Sequence, residues 1–374
     1  MRLLTLTALL LAGCSGAGRK TEPSTASDAA LEAAARGDVD GAEALLRDAA
    51  DPDAQRLRAR FLLMKNKNRE AVEILAALKA KKVNDYEEAE RWQRVLPDLA
   101  LAYVRLDDFA NAAAVVRRMG DAGLSRKYEA LSRQVAYSSN LGTEEISVEF
   151  YITDPLPVVA GTVGGVRALF VIDTLLDEVV LDRDLARRAG ITGIGGGDEA
   201  VLPELSIGKF SVKNLPIHLG TAAKIGDLKP EGAIGLQFLM HYDFTLDYRR
   251  SRLVLRRAGG APPATGQPAL LAGDRYLLLG GQAPGRDRTF VGVGTSLKGV
   301  TLAVSDLGTD ATAGGPAEFT VGGLKLVKPL LDPKAFPAGL DGSFGVPVGY
   351  VLGHNALRGK VLRLEPRSMK LAID

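Results

Sequence analysis

The chain has 374 residues, 46% of them hydrophobic and 25% charged, with 47 Lys and Arg against 45 Asp and Glu. This length suffices for two or three domains, and a net charge of +2 without a Lys/Arg cluster does not indicate nucleic-acid binding. A single cysteine excludes an intramolecular disulfide and any zinc site built from several cysteines.

The first residues have the pattern of a secretion signal. Arg2 precedes an apolar run that is shorter than the roughly 20 residues a membrane-spanning helix needs. The run ends in Leu-Ala-Gly-Cys, with the cysteine at position 14. This segment resembles the lipobox of bacterial lipoproteins, where the chain is cut before the cysteine and a lipid is attached to it. The resemblance implies a signal peptide at residues 1–13, lipidation of Cys14 and, because Ser15 follows, anchoring in the outer membrane facing the periplasm.

The next two segments differ sharply in composition. Residues 14–26 are small, polar and charged, which predicts a tether, and residues 27–137 are rich in Ala, Leu, Arg and Glu at helical spacing. A polar turn followed by a helix with a small packing residue occurs three times, at Ala42, Ala71 and Ala112. These copies resemble tetratricopeptide repeats, although their spacing is irregular. The resemblance implies helical hairpins that serve either as a concave peptide-binding surface or as a spacer.

Strands are predicted for the rest of the chain. Residues 144–257 and 268–374 contain short β-branched runs between Gly, Pro, Asp and Asn, and residues 258–267 form a Gly/Pro-rich linker. The two stretches are copies of each other, because the segment around Gly235 returns without gaps around Gly353. The predicted fold class is therefore α+β multidomain, with N-terminal helical repeat hairpins and two similar C-terminal all-β lobes.

One segment of the first lobe carries a candidate catalytic motif. An apolar strand at residues 168–172 runs into Asp173 and Thr174, and a later strand ends in Leu-Asp-Tyr at Tyr248. This order of segments resembles the retropepsin-like aspartic peptidases, in which a strand delivers Asp-Thr-Gly to the active site. The resemblance implies two acid-protease-type barrels around a peptide-binding cleft, with no cofactor and no metal.

The same resemblance assigns the site residues. It implies catalysis by Asp173, with Thr174 holding its orientation, and a binding site that includes Leu175, Gly235 and Gly353. The family chemistry needs two carboxylates that share one proton. Aligning Phe290 with Phe170 places Val293 opposite Asp173, so the second lobe supplies no carboxylate.

Leu175 also departs from the family motif, because a glycine normally stands there and a leucine should crowd the site. A single exposed Asp would titrate near ~4 and remain ionised. The prediction is therefore a catalytically degenerate domain that binds peptide or protein. Two alternatives stay open: an active aspartic endopeptidase that uses Asp173, and a structural lipoprotein of envelope assembly. The sequence does not determine the oligomeric state.

The three histidines predict no metal site. His218, His241 and His354 are far from one another in sequence and from any residue at ligand spacing. Two glycine-rich segments, at residues 193–198 and 292–294, lack the Lys-Ser/Thr of a phosphate-binding loop.

Overall fold

The structure is a computed structural model that describes residues 25–78, 86–221, 227–260, 263, 265–273, 275–283, 286–297, 301–302, 318–321, 324–327, 340, 346 and 348–374. The predicted signal peptide, Cys14 and nearly all of the predicted tether lie outside these residues. Within them, no helix combines the length and apolar character needed to cross a bilayer.

The N-terminal part of the described chain is helical. Aspartates begin most of these helices because their side chains accept hydrogen bonds from free backbone N–H groups of the first turn. Pro97 lies inside α5, which continues through it. The helices are α1 (Ala26–Ala35), α2 (Val39–Leu45), α3 (Pro52–Met64), α4 (Asn68–Ala77), α5 (Tyr86–Arg105), α6 (Phe109–Arg118) and α7 (Ala122–Ser132).

The three repeated turns have the same backbone geometry. Each contains a residue with positive φ, namely Gly37 (φ 82), Asn66 (φ 58) and Asp107 (φ 57). The small residues that follow, Ala42, Ala71 and Ala112, are fully buried. Each of the three segments therefore forms a turn followed by a helix that packs on its alanine, and consecutive helices contact one another along the chain.

The rest of the described chain is rich in strands. The first part contains β1 (Ser138–Ser139), β2 (Ile146–Ile152), β3 (Val158–Val163), β4 (Val166–Ile172), β5 (Val179–Asp182), α8 (Arg183–Arg188), β6 (Glu199–Ile207), β7 (Phe210–Gly220), β8 (Gly232–Ile234), α9 (Leu236–Leu239), β9 (Tyr242–Asp247) and β10 (Arg252–Arg257). The second part contains β11 (Gln267–Ala272), β12 (Tyr276–Ala283), β13 (Arg286–Val293), β14 (Thr301–Leu302), β15 (Glu318–Val321), β16 (Leu324–Val327), β17 (Val348–Leu352), α10 (His354–Leu357), β18 (Val361–Glu365) and β19 (Lys370–Ile373).

An antiparallel sheet joins the two parts in the order β2-β10-β9-β18-β19-β11. Its central pair places Thr245 opposite Arg363. These positions are 118 apart (363 − 245), as are Gly235 and Gly353 (353 − 235). Equivalent residues therefore face each other, which is the register of an internal two-fold axis.

Two parallel strand pairs are related by the same internal two-fold axis. β4 pairs with β8 through Ile172 and Ile234, and β13 pairs with β17 through Val293 and Leu352. The first residue after β4 donates its N–H to Ile234 O at 3.0 Å, and the first residue after β13 donates to Leu352 O at 2.9 Å. The ends of β4 and β13 are therefore equivalent places in the fold.

The helices share cores with the strands. One apolar cluster joins Phe61 and Met64 of α3 to Leu278 and Phe290 of the second β part. Another includes α7 and reaches Val201 of β6. The helical part is thus packed directly on the β-rich part.

Candidate functional site

Asp173 is the first residue after the buried strand β4. Its Oδ1 accepts hydrogen bonds from the Leu175 N–H at 2.9 Å and from the Ser296 Oγ at 2.7 Å. Leu175 belongs to the same turn, whereas Ser296 lies just beyond β13. The candidate site therefore forms where the ends of β4 and β13 meet.

Two buried threonines join these strand ends by reciprocal hydrogen bonds. The Thr174 Oγ1 donates to Val293 O at 2.8 Å, and the Thr295 Oγ1 donates to Ile172 O at 2.7 Å. Each hydroxyl also accepts the other threonine's backbone N–H, at 3.1 Å in both directions. Both side chains are fully buried and satisfied, so this exchange holds the two strand ends in a single register.

The exchange corrects the predicted alignment of the two lobes. Because Thr174 and Thr295 are equivalent, the residue opposite Asp173 is Gly294 and not Val293. The predicted alignment of Phe290 with Phe170 was wrong by one residue, because Val291 pairs with Tyr350 in the same way as Phe170 pairs with Gly232. The outcome for chemistry is unchanged, since glycine supplies no carboxylate.

Leu175 occupies the space that a side chain at position 294 would need. A Cβ placed on Gly294 would lie 2.8 Å from Leu175 Cδ1 and 3.0 Å from Val351 Cγ1. Both distances are shorter than ordinary van der Waals contacts. Leu175 therefore crowds position 294, which lies opposite Asp173.

The electrostatics of Asp173 differ from those of a lone exposed aspartate. Burial raises the pKa of this carboxyl above its ordinary value, while the bonds from Ser296 and Leu175 act in the opposite direction. Its hydrogen-bond partners in the described part of the chain are a hydroxyl and a backbone N–H, without a second carboxyl group. A proton shared between two carboxyl groups therefore has no second carboxyl group beside Asp173 among the described residues.

Gly235 and Gly353 support the turns that follow Asp173 and Gly294. Each caps a short helix, and a Cβ on Gly235 would lie 2.7 Å from Asp177 O. The residue after Gly235 donates its N–H to Leu176 O at 2.7 Å, and the residue after Gly353 donates to Leu297 O at 2.6 Å. Both glycines therefore lie beneath the candidate site and contact its backbone.

A buried ion-pair cluster ties α7 to the same turn, and sequence reasoning missed it. Lys127 is 1% exposed; it bonds to Glu178 at 2.6 Å and also pairs with Glu199. Burial raises the pKa of Glu178 to about 7 despite Lys127 nearby. Burial opposes ionisation of Glu199 as well, but its bonds to His218 and Lys127 keep its pKa at about 2.

Gly294 and Ser296 were also missed. The sequence signal was the Gly-Thr-Ser run after β13. It matches the Asp-Thr-Leu run after β4 at a separation of 121 residues (295 − 174), whereas the two glycine segments are 118 residues apart (353 − 235).

The histidines lie apart, with His218 beside Glu199, His241 stacked on Tyr137 and His354 buried in α10. Within the described residues, no group of three or more potential metal ligands is brought together.

Comparison with known proteins yields a structural match. No family model matches the chain, and no curated protein sequence matches it significantly. Among solved structures, the chain is similar to a retropepsin-like aspartic protease from Rickettsia conorii, with 23% sequence identity and a TM-score of 0.24. The match covers 33% of this chain and 95% of that protein.

Proposed function

We propose that this chain is a lipid-anchored envelope protein whose retropepsin-like pair of β lobes binds peptide or protein without cleaving it. The observation that carries this proposal is the pairing of Asp173 with Gly294. General acid and base catalysis by an aspartic dyad needs two carboxyl groups in contact, and this arrangement contains one. Leu175 fills the position where the second would stand.

The surroundings of Asp173 favour binding. Leu175, Leu176 and Leu297 are half-buried beside it, so they expose some apolar surface to a ligand. The reciprocal threonine bonds hold this surface rigidly, and a preorganised surface loses less entropy when a ligand binds.

The test is proteolysis of an unfolded protein substrate by the purified full chain at pH 4 to 7, with products read by mass spectrometry. We expect no cleavage, and we expect the substrate to bind. The Asp173→Asn variant is the matched control. Cleavage by the native chain that disappears in this variant would establish an aspartic endopeptidase and refute the proposal.

A gain-of-function variant tests the reason for inactivity. Leu175→Gly combined with Gly294→Asp clears the crowded space and adds the second carboxylate. We expect weak acid-dependent cleavage from this double variant and none from Gly294→Asp alone, because Leu175 still blocks the site in the single variant. Stable folding of both variants is checked by circular dichroism.

The membrane anchor is proposed from the lipobox alone. Expression of the native chain and of Cys14→Ala in a Gram-negative host, followed by membrane fractionation, tests it. We expect the native chain in the outer-membrane fraction and the variant outside it. A native chain that is recovered without lipid would refute this part of the proposal.

A further inference from the structure

We infer that the open edge of β2 binds an extended, positively charged peptide by strand addition. This inference rests on the proposed peptide-binding function and deepens it, because it names the class of peptide and a binding site other than Asp173. The argument uses the backbone of β2, the groove beside it and the charges on its rim.

The N-terminal half of β2 is an edge of the six-stranded sheet. It pairs with β10 over Ile146–Glu149, whereas its pairing with β3 begins only at Phe150. The Phe150 N–H donates to Ser251 O at 2.7 Å. Because bonded residues alternate in an antiparallel pair, Ile146 and Val148 also bond towards β10, and the N–H and C=O of Ser147 point away from it.

This edge lines a groove of about 1240 Å³. Asn140 and the β6–β7 turn at Gly208 and Lys209 also line this groove. The volume exceeds the roughly 300–1,000 Å³ of typical small-molecule clefts, so it suits a peptide segment. Neither Asp173 nor Gly294 lines this groove.

The charged side chains that line the groove favour a positively charged peptide. Glu144, Glu145 and Glu149 line it together with a single cation, Lys209. Glu145 pairs with Arg256, whereas no ion pair joins Glu144 or Glu149 to any described residue. Opposite charges on facing strands stabilise a pair, so Lys or Arg at alternate positions of an added strand complements this edge.

Tyr151 continues the same exposed face of β2. Its side chain is 62% exposed, and residues 147, 149 and 151 alternate with the buried Val148 and Phe150. An alkyl or guanidinium group of an added strand would cover this ring. In strand addition, main-chain hydrogen bonds provide the affinity, and side-chain contacts at alternate positions provide the specificity.

One other occupant and one other edge of the sheet fit less well. A second copy of β2 would bring Glu149 close to the same acidic side chains, and like charges on facing strands are destabilising. The opposite edge of the sheet, β11, contains Pro268 and is contacted by α3, so it is protected from strand addition. Residues 146–149 of the β2 edge contain no proline.

The test uses a fluorescent peptide of about nine residues, the length of a long strand, in which Lys and Val alternate. Its binding to the full chain is followed by anisotropy and by hydrogen exchange. We expect binding, with new protection of the Ser147 amide. The Glu144→Lys/Glu149→Lys variant should bind at least about tenfold more weakly, whereas the matched control Glu73→Lys, on the exposed face of α4, should bind normally.

Two modified peptides complete the experiment. A peptide with N-methylated backbone amides and a peptide with Glu in place of Lys should both fail to bind. Binding that survives N-methylation or the double charge reversal overturns the inference. So does protection of the Asp173 turn in place of Ser147, an outcome that leaves the proposed function intact. If the Lys-Val peptide does not bind the full chain, the inference is overturned. The proposed function is tested separately, by binding and cleavage of the unfolded protein substrate.

Discussion

At the scale of single residues, the site is defined by the contact between Leu175 and Gly294. The Leu175 side chain lies where a Cβ at position 294 would stand. A side chain at position 294 would overpack this contact, and a smaller residue at position 175 would leave a cavity. Asp173 remains, held by Ser296 and its own turn.

The raised pKa of Asp173 should make the free energy of unfolding depend on pH. Because burial raises the pKa of Asp173 above its ordinary 3.8, the folded state binds this proton more tightly than the unfolded state. Its contribution to stability therefore falls as the pH rises from 3.8 through the raised pKa. A tenfold difference in proton affinity between the folded and unfolded states corresponds to about 1.4 kcal/mol of stability.

Asp173→Asn should remove this dependence and leave the protein as stable as the native chain or more so at pH 7, since an amide oxygen can accept the same two hydrogen bonds. Urea unfolding of both proteins at pH 3 to 7 measures the difference, and Asp48→Asn, at an exposed position, controls for loss of a charge. A variant that is less stable than the native chain at pH 7 would contradict this account.

At the scale of secondary-structure elements, α7 contacts the turn that follows Asp173 through a buried ion pair. Lys127 comes from the helix, Glu178 from the turn and Glu199 from β6, so three elements meet in one buried charge cluster. A buried charge that loses its partner is far more costly than an exposed one. The position of the site turn therefore depends on the helical part of the chain.

Lys127→Met should lower the free energy of unfolding by about 3–5 kcal/mol, because it leaves Glu178 without an ion-pair partner among the described residues and Glu199 with His218 alone. The loss should shrink as the pH falls, since both carboxyl groups then take up protons. Thermal and urea unfolding at pH 5 and pH 8 test this. Lys213→Met, on an exposed face of β7, should stay within about 0.5 kcal/mol of the native chain.

At the scale of the whole molecule, helices and strands form a continuous structure. Phe61 and Met64 share an apolar cluster with strand residues of the second β part, and the central β9–β18 pair joins the two β parts. Shared cores couple the unfolding of the elements that contribute to them. We therefore expect the described parts to unfold together.

The single tryptophan provides a test of this coupling. Trp92 lies in α5 and reports on the helices, whereas hydrogen exchange of β9 and β18 reports on the sheet. The two urea transitions should coincide. Phe61→Ala should shift both by the same amount, at a cost of about 3–5 kcal/mol, whereas Leu31→Ala at a more exposed position should have little effect. Two separate transitions would show that the helical and β parts unfold independently.

Local patterns in the chain were sufficient to predict several of these features. The helical spacing and the polar turns before Ala42, Ala71 and Ala112 correspond to elements of the structure. Each depends on interactions between residues close in sequence, such as a capping aspartate or a left-handed turn residue. The repeat of the Gly235 segment at Gly353 is likewise visible without coordinates.

Tertiary structure alone decided which residue faces Asp173. An ungapped repeat assumes one offset, but Thr174 and Gly235 are 61 positions apart (235 − 174), whereas Thr295 and Gly353 are 58 apart (353 − 295). Only the reciprocal bonds of Thr174 and Thr295, between residues 121 apart (295 − 174), identify Gly294 as the counterpart. The Lys127 cluster and the open edge of β2 were equally hidden, because burial and strand pairing depend on contacts between distant parts of the chain.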